Sequence, residues 1–139
     1  MSIYVHITNS PIDTQMVIDL VKTDSSGAVN VFIGTVRNST KNKEVVALEF
    51  ESYESMAIKE IDKIINEAKK RWPINEMAIY HRVGALAIGD VPVVIAVSTP
   101  HRRQGFEACQ FAIDTLKETV PIWKKEIFAD GEEWVSAHP

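Results

Sequence analysis

Hydrophobic and polar positions along the chain repeat with two periods, one typical of strands and the other of helices. Runs rich in β-branched and aromatic residues, bounded by turn-forming residues, predict strands. The predicted strands span residues 3–8, 27–36, 45–53, 77–83, 91–98, 122–129 and 133–135. The last two flank Asp130-Gly131, a dipeptide typical of a short β-hairpin, whereas the polar run 38–43 predicts a loop.

Apolar residues three and four positions apart predict three helices. The first is short and begins at Ser10-Pro11, with Ser10 as the N-cap. The second spans 55–72 and the third spans 103–120, and each is followed by a proline that ends it. The apolar stripe of the third helix consists of Phe106, Cys109, Ile113, Leu116 and Val120.

The predicted order of elements is β-α-β-β-α-β-β-α-β-β, which mixes hairpins with single helices. This order favours an α+β fold with a mostly antiparallel sheet over a doubly wound parallel one. The length of 139 residues predicts a single domain that covers 1–139.

Composition and charge narrow the class of protein. With 45% hydrophobic and 24% charged residues, the chain is typical of globular proteins. The net charge of −4 argues against a general nucleic-acid binder, so any anion site must come from a local cluster of basic residues. No apolar run reaches the roughly 18 residues needed to span a bilayer, and the N-terminus lacks the pattern of a signal peptide. We therefore expect a cytoplasmic protein without membrane contact.

Basic residues cluster at the predicted start of the third helix, where His101, Arg102 and Arg103 follow one another. Cations are unfavourable at a helix N-terminus, because its free N–H groups carry partial positive charge. Those N–H groups and an arginine together form a site for a phosphate or carboxylate. The alternative is that the arginines are solvated and their charges screened. Arg37, at the end of a strand and before a polar loop, allows the same two interpretations.

Two lysines lie near large apolar residues around the end of the third helix. On a helical wheel, Lys117 is about 60° from the centre of the apolar stripe, and Lys124 follows Trp123 in the next strand. A partly desolvated lysine near other cations acts as a base, a nucleophile or a proton donor. For either lysine alone, snorkelling to solvent is the favoured interpretation. Lys125 is expected on the opposite side of the strand from Lys124.

The remaining candidate groups predict no metal site and no cofactor. Cys109 falls within the apolar stripe and is expected to be a buried structural residue, not a reactive thiol. As the single cysteine, it allows no internal disulfide. The four histidines are scattered, without the spacing of metal ligands, and no glycine-rich phosphate loop occurs.

Six segments carry a family resemblance: FIGTVRN, LEFESYESMA, RWP, IYHRVGALAIGD, STPHRRQGFEACQFAIDTLKETVPIWKKE and DGEEWV. In this order they resemble the family of large, catalytic subunits of molybdopterin synthase, the MoaE family. The likeness runs from about residue 3 to residue 135. Its most specific parts are the His-Arg pair before the long helix and the two lysines, Lys117 and Lys124, which have six residues between them and the second of which lies in PIWKKE.

The resemblance implies an α/β hammerhead fold with mostly antiparallel sheet and an additional C-terminal β-hairpin. It implies a sulfurtransferase that converts cyclic pyranopterin monophosphate to molybdopterin during molybdenum cofactor biosynthesis. The sulfur comes from a small ubiquitin-like partner subunit whose C-terminal Gly-Gly carries a thiocarboxylate. The family's large subunits form a central homodimer with one small subunit at each end, which makes a heterotetramer.

The family's functional positions map onto the two lysines and onto residues near them. Lys117 and Lys124 match the two lysines regarded as catalytic. Positions that bind the substrate match Thr35, Val36, Arg37, His101, Arg102, Lys117, Lys124, Lys125 and Glu126. Family members often continue past the EEWV segment with a basic residue and a longer charged tail, whereas residues 136–139 here read SAHP. If the tail of the neighbouring subunit helps to bind the phosphate in the family, then either His138 substitutes for that basic residue or this contact across the dimer is absent.

Two other functions remain open from the residues themselves. One is a non-catalytic dimeric module that binds a phosphorylated small molecule. The other is a scaffold that holds a ubiquitin-like protein without chemistry. A pure binding module has no need for Lys117 beside a buried helix face, so the pair of lysines favours the enzyme.

Overall fold

A computed structural model describes residues 2–136, and His138 lies outside the described residues. Three helices and nine strands follow one another within that range. The helices are α1 (Thr14–Val21), α2 (Glu54–Arg71) and α3 (Arg102–Thr119). The strands are β1 (Val5–Thr8), β2 (Ala28–Gly34), β3 (Ser39–Thr40), β4 (Lys43–Ser52), β5 (Glu76–Arg82), β6 (Gly84–Ala87), β7 (Val93–Thr99), β8 (Ile122–Phe128) and β9 (Gly131–Ser136).

The strands form two sheets. The first has the order β1-β5-β7-β2, in which β1 and β5 are parallel and the other neighbours are antiparallel. The second has the order β3-β4-β8-β9, and β6 pairs with β4 on the side away from β8. The predicted α+β class with mostly antiparallel sheet is confirmed, as is the C-terminal hairpin of β8 and β9.

Helices cover both faces of the first sheet. Helix α1 packs against β5 and β7 on one face, whereas α2 and α3 pack together on the other. All seven residues of β7 are therefore buried, as expected for a strand covered on both sides. Side chains along β5 alternate between the two faces of the sheet, so that Ile79 faces α2 and α3, whereas Ala78 faces α1. Among the described residues, no helix combines the length and the apolar character needed to cross a bilayer.

Helix α1 begins later than predicted. Its N-cap is Asp13, whose carboxylate accepts a hydrogen bond from the backbone N–H of Met16 at 3.1 Å. The prediction of Ser10 as the cap is therefore wrong. A carboxylate at this position satisfies a free N–H group and also interacts favourably with the partial positive charge of the helix terminus. Burial of Val17 and Val21 then fixes which side of the helix faces the sheet.

The buried face of α3 is rotated from the predicted apolar stripe. Phe106, which belongs to that stripe, is 61% exposed. The buried positions are instead mostly small: Gly105, Ala108, Cys109, Ala112 and Leu116. A Cβ atom at Gly105 would overlap the side-chain amide of Asn30 in β2, so glycine allows the helix to approach the strand closely. Cys109 is buried, as predicted.

Residues 38–43, predicted as a loop, form a tight hairpin between β3 and β4. The two turn residues, Lys41 and Asn42, have positive φ angles of 47° and 64°. Two consecutive residues in this left-handed region give the two-residue turn whose twist matches that of paired strands. The hairpin holds Ser39 and Thr40 in place beside the candidate site described next.

Candidate active site

Lys117 and Lys124 come from different elements and meet at one cavity. Lys117 lies two residues before the end of α3, and Lys124 is the third residue of β8. The helix ends because Pro121 has no N–H group to extend the helical hydrogen bonding. The last such bond runs from the N–H of Val120 to the carbonyl of Leu116 at 3.1 Å. The chain then enters β8 directly, which brings both lysines to the same cavity wall.

We call the space beneath the two lysines the inner cavity, and its volume is about 130 Å³. Side chains from both sheets and from α3 form its wall. The apolar side chains of the wall are those of Phe32, Leu48, Phe50, Pro92, Val93, Ile113 and Leu116. His81 and Thr35 add polar groups to it. A mostly apolar cavity with a few polar groups is typical of a site that binds an organic ring system.

A second pocket of about 260 Å³, which we call the outer pocket, adjoins the inner cavity and shares both lysines with it. Its polar lining consists of Thr35, Arg37, Ser39, Thr40, Lys117, Lys124 and Glu126. Three basic side chains and one carboxylate give this lining a surplus of positive charge. Such a surplus favours an anionic ligand, because hydrogen bonds from cations to an anion are the strong ones.

The surroundings of Lys124 change its acid–base properties. Burial lowers the pKa of Lys124 below its ordinary value of 10.5, an effect opposed by the carboxylate of Glu126. The positive charges of Lys117 and Arg37 lower this pKa further. Glu126 is only 6% exposed, so its charge acts on Lys124 from within the protein. A lysine with a lowered pKa exchanges its proton more readily near neutral pH.

Lys125 points away from both pockets. Its Nζ atom lies 3.8 Å from a carboxylate oxygen of Glu49 and 3.7 Å from one of Glu132. The same atom is 4.8 Å from the centre of the Trp134 ring. These partners lie on the face of the sheet opposite Lys124, because side chains alternate along a strand. Substrate binding by Lys125 stays a prediction.

Val36 lies between two residues of the outer pocket, but its own side chain is buried. Its N–H donates to the carbonyl of Asp90 at 2.9 Å, and its carbonyl accepts from the N–H of Gly89 at 2.8 Å. These bonds fix the path of the chain so that Thr35 and Arg37 both reach the pocket. Direct substrate contact by Val36 stays a prediction.

His101 and Arg102 stand at the opposite end of α3 from Lys117. Arg102 and Lys117 are fifteen positions apart on this helix, which separates their Cα atoms by roughly 22 Å. Both basic side chains are exposed, and neither lines the inner cavity or the outer pocket. Within a single chain, the predicted site residues therefore form two separate groups. His101 and Arg102 lie at the start of α3, and the group around Lys117 and Lys124 lies near its end.

A model of the MoaE protein family matches residues 7–119, which is most of the chain and includes Lys117. The chain belongs to the MoaE protein family. The matched segment ends with α3, so Lys124 and Glu126 in β8 follow it. Their place in the site rests on the geometry of the two pockets.

Relatives and solved structures of the MoaE family resemble the chain over most of its length. The molybdopterin synthase catalytic subunit of Halalkalibacterium halodurans is 54% identical over 129 residues, which cover 93% of this chain and 83% of that protein. The crystal structure of molybdopterin synthase from Staphylococcus aureus matches with a TM-score of 0.89 at 43% identity, covering 93% of this chain and 94% of that one. A third match is a chain from the complex of subunits 1 and 2 of molybdopterin-converting factor from Helicobacter pylori 26695. It has a TM-score of 0.80 at 22% identity, covering 98% of this chain and 94% of that one, and so shares the fold.

Sequence reasoning missed three polar residues of this MoaE-family site. Ser39 and Thr40 fell in the predicted loop, and only their pairing with β4 brings them to the outer pocket. His81 was one of four scattered histidines, although it occupies an inward position of β5. The available signal was a histidine that follows the apolar run Met77–Tyr80 of a predicted strand, because a buried polar side chain needs a specific hydrogen-bond partner.

Proposed function

We propose that the chain is the catalytic subunit of molybdopterin synthase. In this function it converts cyclic pyranopterin monophosphate to molybdopterin, with sulfur from the thiocarboxylated C-terminus of a small ubiquitin-like subunit. The observation that carries the proposal is the shared position of Lys117 and Lys124, between an apolar cavity and a cationic pocket. The inner cavity suits the ring system of the substrate, and the outer pocket suits its phosphate.

The two lysines supply the acid–base and electrostatic parts of sulfur transfer. Attack of a thiocarboxylate sulfur on a carbon of the pterin substrate requires proton transfer and stabilisation of developing negative charge. Lys117, which is exposed at the pocket mouth, is placed beside the carbonyl of the incoming thiocarboxylate. Lys124, which is half-buried with a lowered pKa, contacts the pterin and exchanges a proton with it.

The properties of Cys109 support an external sulfur donor. Burial raises the pKa of the Cys109 thiol to about 11, although a hydrogen bond with the backbone of Phe32 opposes this effect. The reactive thiolate is therefore scarce at neutral pH. Among the described residues no other cysteine occurs, which supports a sulfur donor on another molecule.

We further propose that His101 and Arg102 complete the site of a second copy of the chain. Strand β2 is an edge of the first sheet, and Val29 and Ile33 on it are 37% and 44% exposed. An uncovered apolar edge strand favours pairing with another strand. The exposed Phe106 lies close by, because α3 packs on β2.

The geometry of such a dimer brings the divided residues together. The start of β2 lies beside the start of α3, since the N–H of Gly27 donates to the carbonyl of Thr99 at 3.0 Å. If two β2 strands pair antiparallel about a two-fold axis, the start of one strand lies against the end of the other. The start of α3 from one copy then approaches Thr35 and Arg37 of the other, and its basic residues join the outer pocket.

Reconstitution tests the proposed function. The purified chain is mixed with the thiocarboxylated small subunit and cyclic pyranopterin monophosphate, and dithiolene formation is followed. Product that depends on all three components is the expected result. Binding of the pterin without product would support the non-catalytic module instead.

A further inference from the structure

His81 is a buried polar residue in the wall of the inner cavity, and sulfur transfer as described above gives it no role. It belongs to β5 and is 3% exposed. Its side chain lies on the side of the strand that faces α2, α3 and the second sheet, opposite to Tyr80. The Phe50 ring meets the imidazole edge-on, with ring centres 5.3 Å apart. Packing against Phe50 therefore fixes the imidazole at the cavity wall.

The hydrogen bonding of His81 defines its tautomer. Nδ1 lies 2.8 Å from the backbone carbonyl oxygen of Arg82. A carbonyl oxygen only accepts hydrogen bonds, so Nδ1 must carry the proton and donate it. Burial lowers the pKa of His81 to about 4, with this backbone hydrogen bond opposing the effect, so the ring is neutral at physiological pH. In a neutral ring with a protonated Nδ1, Nε2 carries a lone pair and is an acceptor.

Within residues 2–136, Nε2 of His81 forms no hydrogen bond. Nε2 is not among the buried side-chain atoms that lack a partner, so it is open to the cavity, where water or a polar group of a ligand can donate to it. The cationic residues that line this cavity are Lys117 and Lys124. A ligand in the cavity that carries an N–H or O–H group at its inner end would satisfy this acceptor.

We infer that His81 binds the substrate, and that its Nε2 atom accepts a hydrogen bond from an N–H or O–H group of the substrate's ring system. This inference rests on the proposed function, because it takes the pterin as the occupant of the inner cavity. A pterin carries ring N–H and amino groups, which are donors of the required kind. Its phosphate carries only acceptors at neutral pH and is repelled by a lone pair.

His81 thereby sets the direction in which the substrate binds. The ring enters the inner cavity towards His81, and the phosphate stays in the outer pocket with Arg37. The carbons that receive sulfur then lie between these two ends, beside Lys117 and Lys124. We expect His81 to act mainly on substrate affinity, since it contacts the ring and not the reacting atoms.

Two substitutions separate the acceptor from the rest of the imidazole. His81→Asn keeps an amide N–H near the position of Nδ1 but removes the acceptor at Nε2. His81→Gln carries its amide group out to about the position of Nε2 and restores an acceptor there. Tyr80→Phe is the matched control, because Tyr80 is the next residue of β5, is buried on the other face and donates to the carbonyl of Ile3 at 2.7 Å.

The expected result is a roughly ten-fold rise in KM and in the Kd of the pterin for His81→Asn. The kcat at saturating substrate should change much less, and His81→Gln should recover part of the affinity. Tyr80→Phe should lower the melting temperature and leave KM unchanged. In protein labelled with 15N-histidine, the Nε2 resonance of His81 should shift on addition of the pterin while the Nδ1 resonance stays in place.

The outcomes separate this inference from the proposed function. If wild type forms dithiolene but His81→Asn binds the pterin normally and the Nε2 resonance does not move, the role of His81 is refuted and the function stands. If wild type binds the pterin through His81 but forms no product, the function is refuted and the binding site stands. If wild type neither binds nor converts the pterin, both are wrong. If His81→Asn fails to fold, the wild-type protein provides the test. A shift of its Nε2 resonance on addition of the pterin supports the role of His81, and an unchanged resonance refutes it.

Discussion

Phe50 of β4 and Lys124 of β8 are direct partners in the second sheet, and both side chains line the inner cavity. Because Phe50 also contacts the ring of His81 in the first sheet, one aromatic side chain lies between a lysine and a histidine from different sheets. The cavity is thus a property of the junction between the sheets. Substitutions in the two sheets and in α3 around this cavity should therefore have different effects on turnover and on stability.

Lys117→Ala should abolish sulfur transfer and leave the fold intact. Removing a group that stabilises developing charge typically costs about 10²–10³-fold in kcat. The melting temperature should stay close to that of wild type, because the Lys117 side chain is exposed. Dithiolene formation and thermal unfolding are measured side by side, with Lys69→Ala on the exposed face of α2 as control. Wild-type turnover by the Lys117 variant would sink the assignment.

Lys124→Met should stabilise the protein near neutral pH. The pKa of Lys124 is lower in the folded chain than its ordinary value of 10.5, so the unfolded chain binds its proton more tightly. Wild-type stability should therefore rise with pH between the folded pKa and 10.5, as the penalty for holding the charged lysine is relieved. The variant lacks this rise, and its advantage should shrink towards pH 10.5. Urea unfolding at several pH values measures the difference, and equal pH dependence of the two proteins would contradict the expectation.

His81 should make the protein sensitive to acid. Its pKa is about 4 in the folded chain, compared with an ordinary value of 6.5. The unfolded chain therefore binds the proton first, and stability is lost as pH falls from 6.5 to 4. The loss amounts to about 3 kcal/mol for a shift of this size. His81→Gln should unfold with less pH dependence over that range, as followed by circular dichroism. A variant as acid-sensitive as wild type would show that other groups cause the loss.

Mixed dimers should regain activity if the site is shared between two copies. Lys117→Ala and Arg102→Ala are each expected to be inactive as homodimers. A mixed dimer has one site with both defects and one site with neither. After random exchange of subunits, half of the dimers are mixed, so roughly a quarter of all sites are intact. Activity of the mixture near this fraction of wild type is expected, and no gain over the separate variants would place Arg102 outside the site.

Gly27→Ala should destabilise the protein by about 1–3 kcal/mol. A Cβ atom there would overlap the backbone carbonyl of Pro100, and backbone moves less easily than a side chain. The same contact positions the start of α3 beside β2, so the variant should also lose activity through His101 and Arg102. Asp24→Ala, an exposed change in the same loop, is the control. Denaturant unfolding gives the comparison, and equal stability of both variants would argue against a close approach at Gly27.

Local patterns in the sequence predicted most elements and failed at specific places. The hairpin at Asp130-Gly131 and the end of α3 before Pro121 were predicted because the cause lies within a few residues. The strand at Gly84–Ala87 was missed, since it forms only by pairing with β4, more than thirty residues earlier. The exposure of Phe106 was missed because the helix turns its small residues towards β2, and no hydrophobicity pattern reports a close approach.

The sequence by itself determined the fold class and the family, and it predicted Lys117 and Lys124 as site residues, because each of these depends on local composition or on ordered motifs. It also determined that Lys124 and Lys125 face opposite ways, which follows from the period of a strand. Only the tertiary structure decided which residues share a site. It joined His81 to Lys117 and Lys124, which are distant in sequence, and it separated Lys117 from His101 and Arg102, because a straight helix keeps its two ends apart.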